Sequence, residues 1–214
     1  MSTDNKSAQP PRLLIGLTGS IGAGKSAVAT LIEQRFPVLY TDRIARDIME
    51  QDGAVRDAIT ERFGIQAYLS DGAVDRRFLA ELVFEDAKKL AALNAIVHPP
   101  TVEAVDRKAA ELHDDGHRMV FVESALIFEA ELEEQFDYIV AVIADVQIAT
   151  ERIMQRDGVN AAAVERRMRA QLPPEEKADL ADFTIRNNGS MEDLERSTGA
   201  ILTILNSLGS RPAA

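Results

Sequence analysis

Five short apolar runs punctuate the chain: Leu13–Thr18, Val38–Tyr40, Met119–Val122, Tyr138–Val142 and Phe183–Ile185. Stretches with helical spacing separate them, and that alternation predicts parallel strands joined by crossover helices, an α/β fold. Between the first two runs, Lys25 to Phe36 carries Val28, Leu31 and Ile32 on one helix face, so the chain opens as strand, helix, strand. From about Ala54 to His113 the alternation stops. Leu79, Leu82, Val83, Leu90, Leu93, Ile96 and Val97 recur three and four residues apart; Pro99–Pro100 halts that run, and Val102, Val105, Ala109 and Leu112 resume it. This helical stretch is longer than a plain crossover and predicts a helical subdomain beside the sheet, the alternative being an elaborated crossover without a ligand role. A second helical excursion, Val146 to Lys177, separates the fourth and fifth strands. It carries Arg152, Arg156, Arg166, Arg167 and Arg169 and ends at Pro173–Pro174. No internal repeat, low-complexity tract or coiled-coil heptad interrupts this plan.

Composition narrows the chemistry. With 214 residues, 46% hydrophobic and 28% charged, the chain holds enough apolar material for one substantial domain with an inserted subdomain. It has no cysteine, which excludes thiol nucleophiles, cysteine-based zinc sites and iron–sulfur clusters and fits a reducing interior. A net charge of −11 argues against duplex nucleic acid as a partner, since that affinity rests on Lys and Arg neutralising phosphates. A small anion needs only a few local cations. No apolar run approaches the roughly 18 residues that span a bilayer, so no membrane partner is expected. The opening, MSTDNKSAQPPR, lacks the apolar centre of a secretory signal and is expected to be a loose tail of a cytoplasmic protein, with SRPAA as a second.

Directly after the first strand the chain reads Gly19-Ser20-Ile21-Gly22-Ala23-Gly24-Lys25-Ser26, two glycines five apart followed by Lys and Ser. Glycines let a backbone bring its N–H groups close around phosphate oxygens, and the helix that follows presents its positive end to the same charge. Lys25 then reaches the β- and γ-phosphates, and the Ser26 hydroxyl is the expected Mg²⁺ ligand. A chance match is the alternative, and the strand before and amphipathic helix after weigh against it. Nucleoside triphosphate binding follows.

What the triphosphate is used for depends on its surroundings. Asp42, at the end of the second strand, would project toward the γ-phosphate, where a carboxylate accepts a proton from an attacking hydroxyl or holds a Mg²⁺-bound water. Capping the next helix is its alternative role. Glu123, ending the third strand, is a weaker candidate for supporting Mg²⁺, and Glu129–Glu134 reads as a solvated acidic helix start. Arg152 and Arg156 stand one helical turn apart and could meet an anion together; the alternative is a surface ion-pair face with Glu151 and Asp157. His98, before Pro99, is either a subdomain ligand or a structural histidine, while His113 and His117 lie in a polar loop and are assigned nothing.

Five segments together resemble the dephospho-coenzyme A kinases, which are similar in fold to nucleotide-monophosphate kinases. They are the loop Leu17–Ser26, Asp42-Arg43-Ile44-Ala45-Arg46, Leu93-Asn94-Ala95-Ile96-Val97-His98-Pro99, Arg152–Asp157 and Ile185-Arg186-Asn187-Asn188-Gly189, in the family's order. The resemblance implies a three-layer P-loop kinase fold with a five-stranded parallel sheet. Residues 12–53 and 114–208 would form the nucleotide-binding core, with a lid at about 146–177, a helical acceptor-binding insertion at 54–113 and flexible tails at 1–11 and 209–214. It implies ATP-dependent phosphorylation of the ribose 3′-hydroxyl of dephospho-coenzyme A, the last step of coenzyme A synthesis, by a monomer or weak homo-oligomer. By position, Gly22, Ala23, Gly24, Lys25, Ser26, Ala27 and Asn187 would hold ATP. Asp42 would be the base, Arg152 the lid arginine, and His98 and Arg156 would join Asp42 at the acceptor. The chain departs from the family pattern at Tyr40, where such kinases commonly have Asp, at Ala27, often Thr, and at Ser124-Ala125-Leu126-Ile127, usually Pro-Leu-Leu in part. A kinase for a nucleoside monophosphate is the nearest rival. From a different class comes a regulatory GTPase or ATP-driven switch that binds partners; the GTPase version is disfavoured because no Asn-Lys-x-Asp follows the loop.

Overall fold

Each of the five apolar runs is a strand. In the computed structural model, which describes residues 12–84 and 86–209, they are β1 (Leu13–Gly19), β2 (Val38–Tyr40), β3 (Met119–Glu123), β4 (Tyr138–Ile143) and β5 (Phe183–Arg186). They form one five-stranded parallel sheet in the order β2-β3-β1-β4-β5, as the alternation predicts. Every residue of β3 is buried, and β1 and β4 are buried except at one position each, the pattern of parallel strands covered on both faces. Helices α1 (Lys25–Glu33), α8 (Pro174–Leu180) and α9 (Met191–Leu208) pack against it, giving the three-layer α/β arrangement. Register aligns the carboxyl ends: Leu17 lies opposite Glu123, Gly19 opposite Val142, and Ile143 opposite Arg186. The turns that follow these strands therefore emerge along one edge.

Residues 40–110 form one compact unit, and the chain flanking them forms the other. The 40–110 unit begins with α2 (Thr41–Gln51), ahead of the expected insertion boundary at 54, and contains α3 (Gly53–Phe63), α4 (Arg76–Phe84) and most of α5 (Ala87–Asp114). Its core is Val55, Ile59 and Phe63 from α3, Leu79 from α4 and Val97 from α5, packed with Ala67 and Val74. Burying a side chain such as Ile59 in full stabilises by about 2 kcal/mol, which is why three short helices and one long one hold together. Arg56 ties the connection between α3 and α4, lying 4.2 Å from the Tyr68 ring centroid and donating to the carbonyls of Glu50 and Gly72.

Both proline pairs act differently from the sequence reading. Pro99 and Pro100 do not halt the helix; α5 runs through them for 28 residues. Each proline withdraws an N–H donor, at about 3 kcal/mol in a helix interior. Burial of Val97, Thr101, Ala104, Val105 and Ala109 along one stripe outweighs that loss, and the Thr101 hydroxyl donates to the Val97 carbonyl at 2.7 Å. Pro173–Pro174 starts a helix instead of ending one: Pro173 is the N-cap of α8 and Pro174 its first residue, where the missing N–H costs nothing. The arginine-rich excursion is thus three helices, α6 (Val146–Asp157), α7 (Ala161–Met168) and α8. The expected tails at 1–11 and 210–214 lie outside the described residues, whereas Gly209 is buried and its carbonyl accepts a hydrogen bond from Arg118.

Candidate active site

The turn from β1 into α1 is built around backbone conformations that only glycine adopts without strain. Gly24, the N-cap of α1, is left-handed at φ 90°, and a Cβ there would collide with the Asn187 amide. Gly22, at φ 77°, has the Ala149 carbonyl 2.6 Å from where its Cβ would sit. The loop N–H groups divide into two sets. Those of Ser20, Ile21 and Ala23 are engaged, by the Val142 carbonyl at 3.3 Å, the Gln171 side chain at 2.9 Å and the Ser20 carbonyl at 3.1 Å. Among the described residues, those of Gly22, Gly24 and Ser26 meet no protein acceptor. Backbone donors without a protein acceptor at the positive end of a helix are what an anion such as a phosphate requires.

Lys25 opens α1, and its ammonium donates to the Glu123 carboxylate at the end of β3, with 14% and 8% of the two side chains exposed. The register of β1 on β3 brings them together. Glu123 is therefore a partner of the loop lysine, a role more definite than the weak Mg²⁺ candidacy read from its position. Ser26 is exposed in the first turn of α1, and Ala27 follows it, half-buried.

Asn187 follows β5 and is 7% exposed. Its side chain donates to the Ala23 carbonyl at 2.8 Å, its own N–H to Ile143 at 2.8 Å, and its carbonyl accepts from Arg152 at 3.0 Å. One residue thus fixes the loop, the β4 edge and Arg152 of α6. Gly24, Ala27, Arg152 and Asn187 line a cavity of about 220 Å³, walled on its apolar side by Met191 and Leu194. Arg156 does not join Arg152. It pairs with Asp157 at 2.7 Å, the surface alternative, and Arg167 of α7 meets the same carboxylate at 2.6 Å.

Hydrogen bonds from Arg156 and then Arg167 hold the Asp157 carboxyl down at about 2, below its ordinary 3.8. A carboxyl lowered by folding contributes stability above its unfolded value and loses it as pH falls toward the folded one. The link between α6 and α7 is expected to be indifferent to pH from neutrality to about pH 4 and to weaken only below that. Carboxyl-detected NMR titration checks this; an Asp157 midpoint near 4 would show that neither guanidinium engages it.

Asp42 and His98 belong to the 40–110 unit. Asp42 is exposed in the first turn of α2; the N-cap is Tyr40 and makes no side-chain cap bond, so Asp42 is not serving as the cap. Tyr40 instead lies under the Arg43 guanidinium, 4.4 Å from its ring centroid. His98 is exposed on α5. Sequence reasoning missed Gln171 and the pair of Glu129 with Lys177, bonded at 2.8 Å. Glu129 is not part of a solvated helix start: it also accepts from the Leu172 N–H at 2.9 Å. No cluster of three or more His, Asp and Glu suited to a metal occurs among the described residues. A Mg²⁺ held chiefly by phosphate oxygens and water needs no such cluster.

Comparison with known proteins agrees with this geometry. The family model described as dephospho-CoA kinase matches residues 13–193. A dephospho-CoA kinase of Anaeromyxobacter dehalogenans is 38% identical over 193 residues, covering 90% of this chain and 92% of that one. A Thermus thermophilus protein of known crystal structure superposes with a TM-score of 0.78 at 36% identity, covering 91% of this chain and 98% of that one. The dephospho-CoA kinase of Campylobacter jejuni superposes at 0.68 with 25% identity, covering 91% and 97%. The match starts at the first strand and runs past β5, spanning most of the sequence, and the chain belongs to the dephospho-CoA kinase family.

Proposed function

We propose that this chain phosphorylates the ribose 3′-hydroxyl of dephospho-coenzyme A with ATP, giving coenzyme A and ADP, the last step of coenzyme A synthesis. The observation that carries the reading is the phosphate loop standing at the β1–α1 turn inside a family match over residues 13–193. In the reaction, the acceptor oxygen bonds to the γ-phosphorus, the bond to the β–γ bridging oxygen breaks, and the hydroxyl proton passes to a base. Asp42 is that base in this reading. It is supported by its exposed carboxylate and by the absence of any capping duty.

The N–H groups of Gly22, Gly24 and Ser26 and the Lys25 ammonium would surround the phosphates, stabilising charge that spreads over the moving group. Ala27 would complete the loop's contact surface, whereas Ala23, wholly buried and with both its N–H and its carbonyl bonded within the protein, would only shape the turn. The base and ribose of ATP fit the cavity between Ala27, Arg152 and Asn187, with Arg152 held toward it by the Asn187 carbonyl. Ser26 would hold Mg²⁺, which neutralises phosphate charge when bound. The α6–α8 segment, 146–177, would act as a lid, the 40–110 unit would carry the acceptor with His98 as a contact, and Arg156 would reach the acceptor only by leaving Asp157. No helix among the described residues is long and apolar enough to cross a membrane, and a cytoplasmic monomer or weak homo-oligomer fits the reading.

The test is phosphoryl transfer from ATP to dephospho-coenzyme A measured beside AMP and CMP. Transfer to dephospho-coenzyme A alone is the expected result. Preference for either monophosphate would replace the acceptor, and indifference to all three would overturn the kinase reading.

A further inference from the structure

One loop amide is held from far away in the sequence. The Ile21 N–H donates to the side-chain oxygen of Gln171, 150 residues on, in the short connection between α7 and α8. That connection is itself anchored. The N–H of Leu172 donates to Glu129 Oε1 at 2.9 Å, and Lys177 Nζ donates to the same oxygen at 2.8 Å and to the Ala125 carbonyl at 2.7 Å. Ala125 and Glu129 lie in the turns that follow β3, the strand that ends in Glu123, the partner of Lys25.

Lys177 has no exposed side-chain surface. Burying an ammonium costs several kcal/mol unless it is paired and hydrogen-bonded, and an apolar side chain would fill the space at less cost. Glu129 Oε2 is buried and has no hydrogen-bond partner among the described residues, a further cost that packing alone does not require. What the charged pair adds over an apolar filler is direction: it fixes one carboxylate oxygen, which fixes the Leu172 amide and so the position from which Gln171 reaches the loop.

We propose that Gln171 is a positioning residue for the ATP phosphates, orienting the Ile21 end of the loop, with the Glu129–Lys177 pair as its anchor. This rests on the reading of the loop as the ATP site. By directing the Ile21 N–H away from the ligand, Gln171 sets the turn from which the Gly22 amide faces the phosphates. Gln171 also lies in the wall of a cavity of about 430 Å³ with Ile21, Met168 and Leu172, so replacing it requires no repacking of a filled core.

The experiment compares the full chain with Gln171→Met, which keeps the length of the side chain and removes its acceptor, and with Gln171→Glu, which keeps an acceptor oxygen. Gln171→Met is expected to raise KM for ATP about fivefold, with KM for dephospho-coenzyme A unchanged and the melting temperature lowered by no more than the few degrees that one lost hydrogen bond costs. Exchange of the Ile21 amide should accelerate in Gln171→Met and return to its parental rate in Gln171→Glu. Parental KM for ATP and parental Ile21 exchange in Gln171→Met overturn the proposal, as does an equal loss for both substrates accompanied by a lower melting temperature. Failure of Gln171→Glu to protect Ile21 also overturns it. If the unsubstituted chain transfers no phosphate, the proposed function fails instead, and Ile21 exchange still decides the role of Gln171.

Discussion

Lys25→Ala is expected to lower kcat/KM for ATP by about 10³-fold and, separately, to destabilise the fold by about 3 kcal/mol. The first effect follows from charge. Phosphoryl transfer leaves the protein little covalent work, so an ammonium placed against the β- and γ-phosphates acts by stabilising the charge that builds on them. Removing one preorganised donor of this kind typically costs a factor of about 10²–10³. The second effect follows from burial. Glu123 is 8% exposed, and without the Lys25 ammonium its carboxylate remains desolvated in the sheet edge. Lys25→Ala combined with Glu123→Gln removes both charges and is expected to recover most of the stability and none of the activity. Denaturant midpoints and steady-state kinetics on the two variants separate the effects. A fully active Lys25→Ala would remove the loop as the phosphate site, and unchanged stability would show that Glu123 does not depend on the lysine.

The parts of this molecule that were legible in the sequence are those whose cause is local. A strand buried on both faces must be apolar at nearly every position, and Leu13–Thr18 or Met119–Val122 says so without reference to anything else. A loop that wraps phosphates needs glycine at positions of left-handed backbone, and Gly22 and Gly24 stand there. Proline was misleading because its cost is local while its outcome is not. Pro99–Pro100 is carried through by the burial of Val97 and Val105 on either side, and Pro173–Pro174 sits where a helix begins and has no N–H to lose. Charged residues were the least legible. Glu129 lies in an acidic stretch and reads as solvated, yet its partners are Leu172, 43 residues on, and Lys177, which is wholly buried. No periodicity marks such a pair, nor a glutamine that reaches a loop amide. The same limit explains Arg156, whose spacing from Arg152 suits a shared anion while its adjacent Asp157 takes it.

Asp42→Asn is expected to reduce kcat by about 10³-fold while leaving the dissociation constant for ATP unchanged, because asparagine keeps the shape of the side chain and cannot accept the proton. The helix in which Asp42 sits helps make the test clean. Its carboxylate occupies the first turn of α2, near the positive end of the helix dipole, and the cap position belongs to Tyr40. Losing that charge costs about 0.5 kcal/mol, too little to unfold the 40–110 unit, so a fall in turnover would not be a fall in folded protein. The sequence adds a second simplification. Where the family pattern commonly places an aspartate, this chain has Tyr40, stacked against Arg43, so the Asp-x-Asp pair of carboxylates is reduced to one. The first turn of α2 then carries one carboxylate rather than a pair, so a single substitution removes the proposed acceptor. Turnover within a few-fold of the parent would assign the proton to another acceptor. Loss of ATP affinity in Asp42→Asn, as is expected of Lys25→Ala, would place the carboxylate with the nucleotide instead of the acceptor hydroxyl.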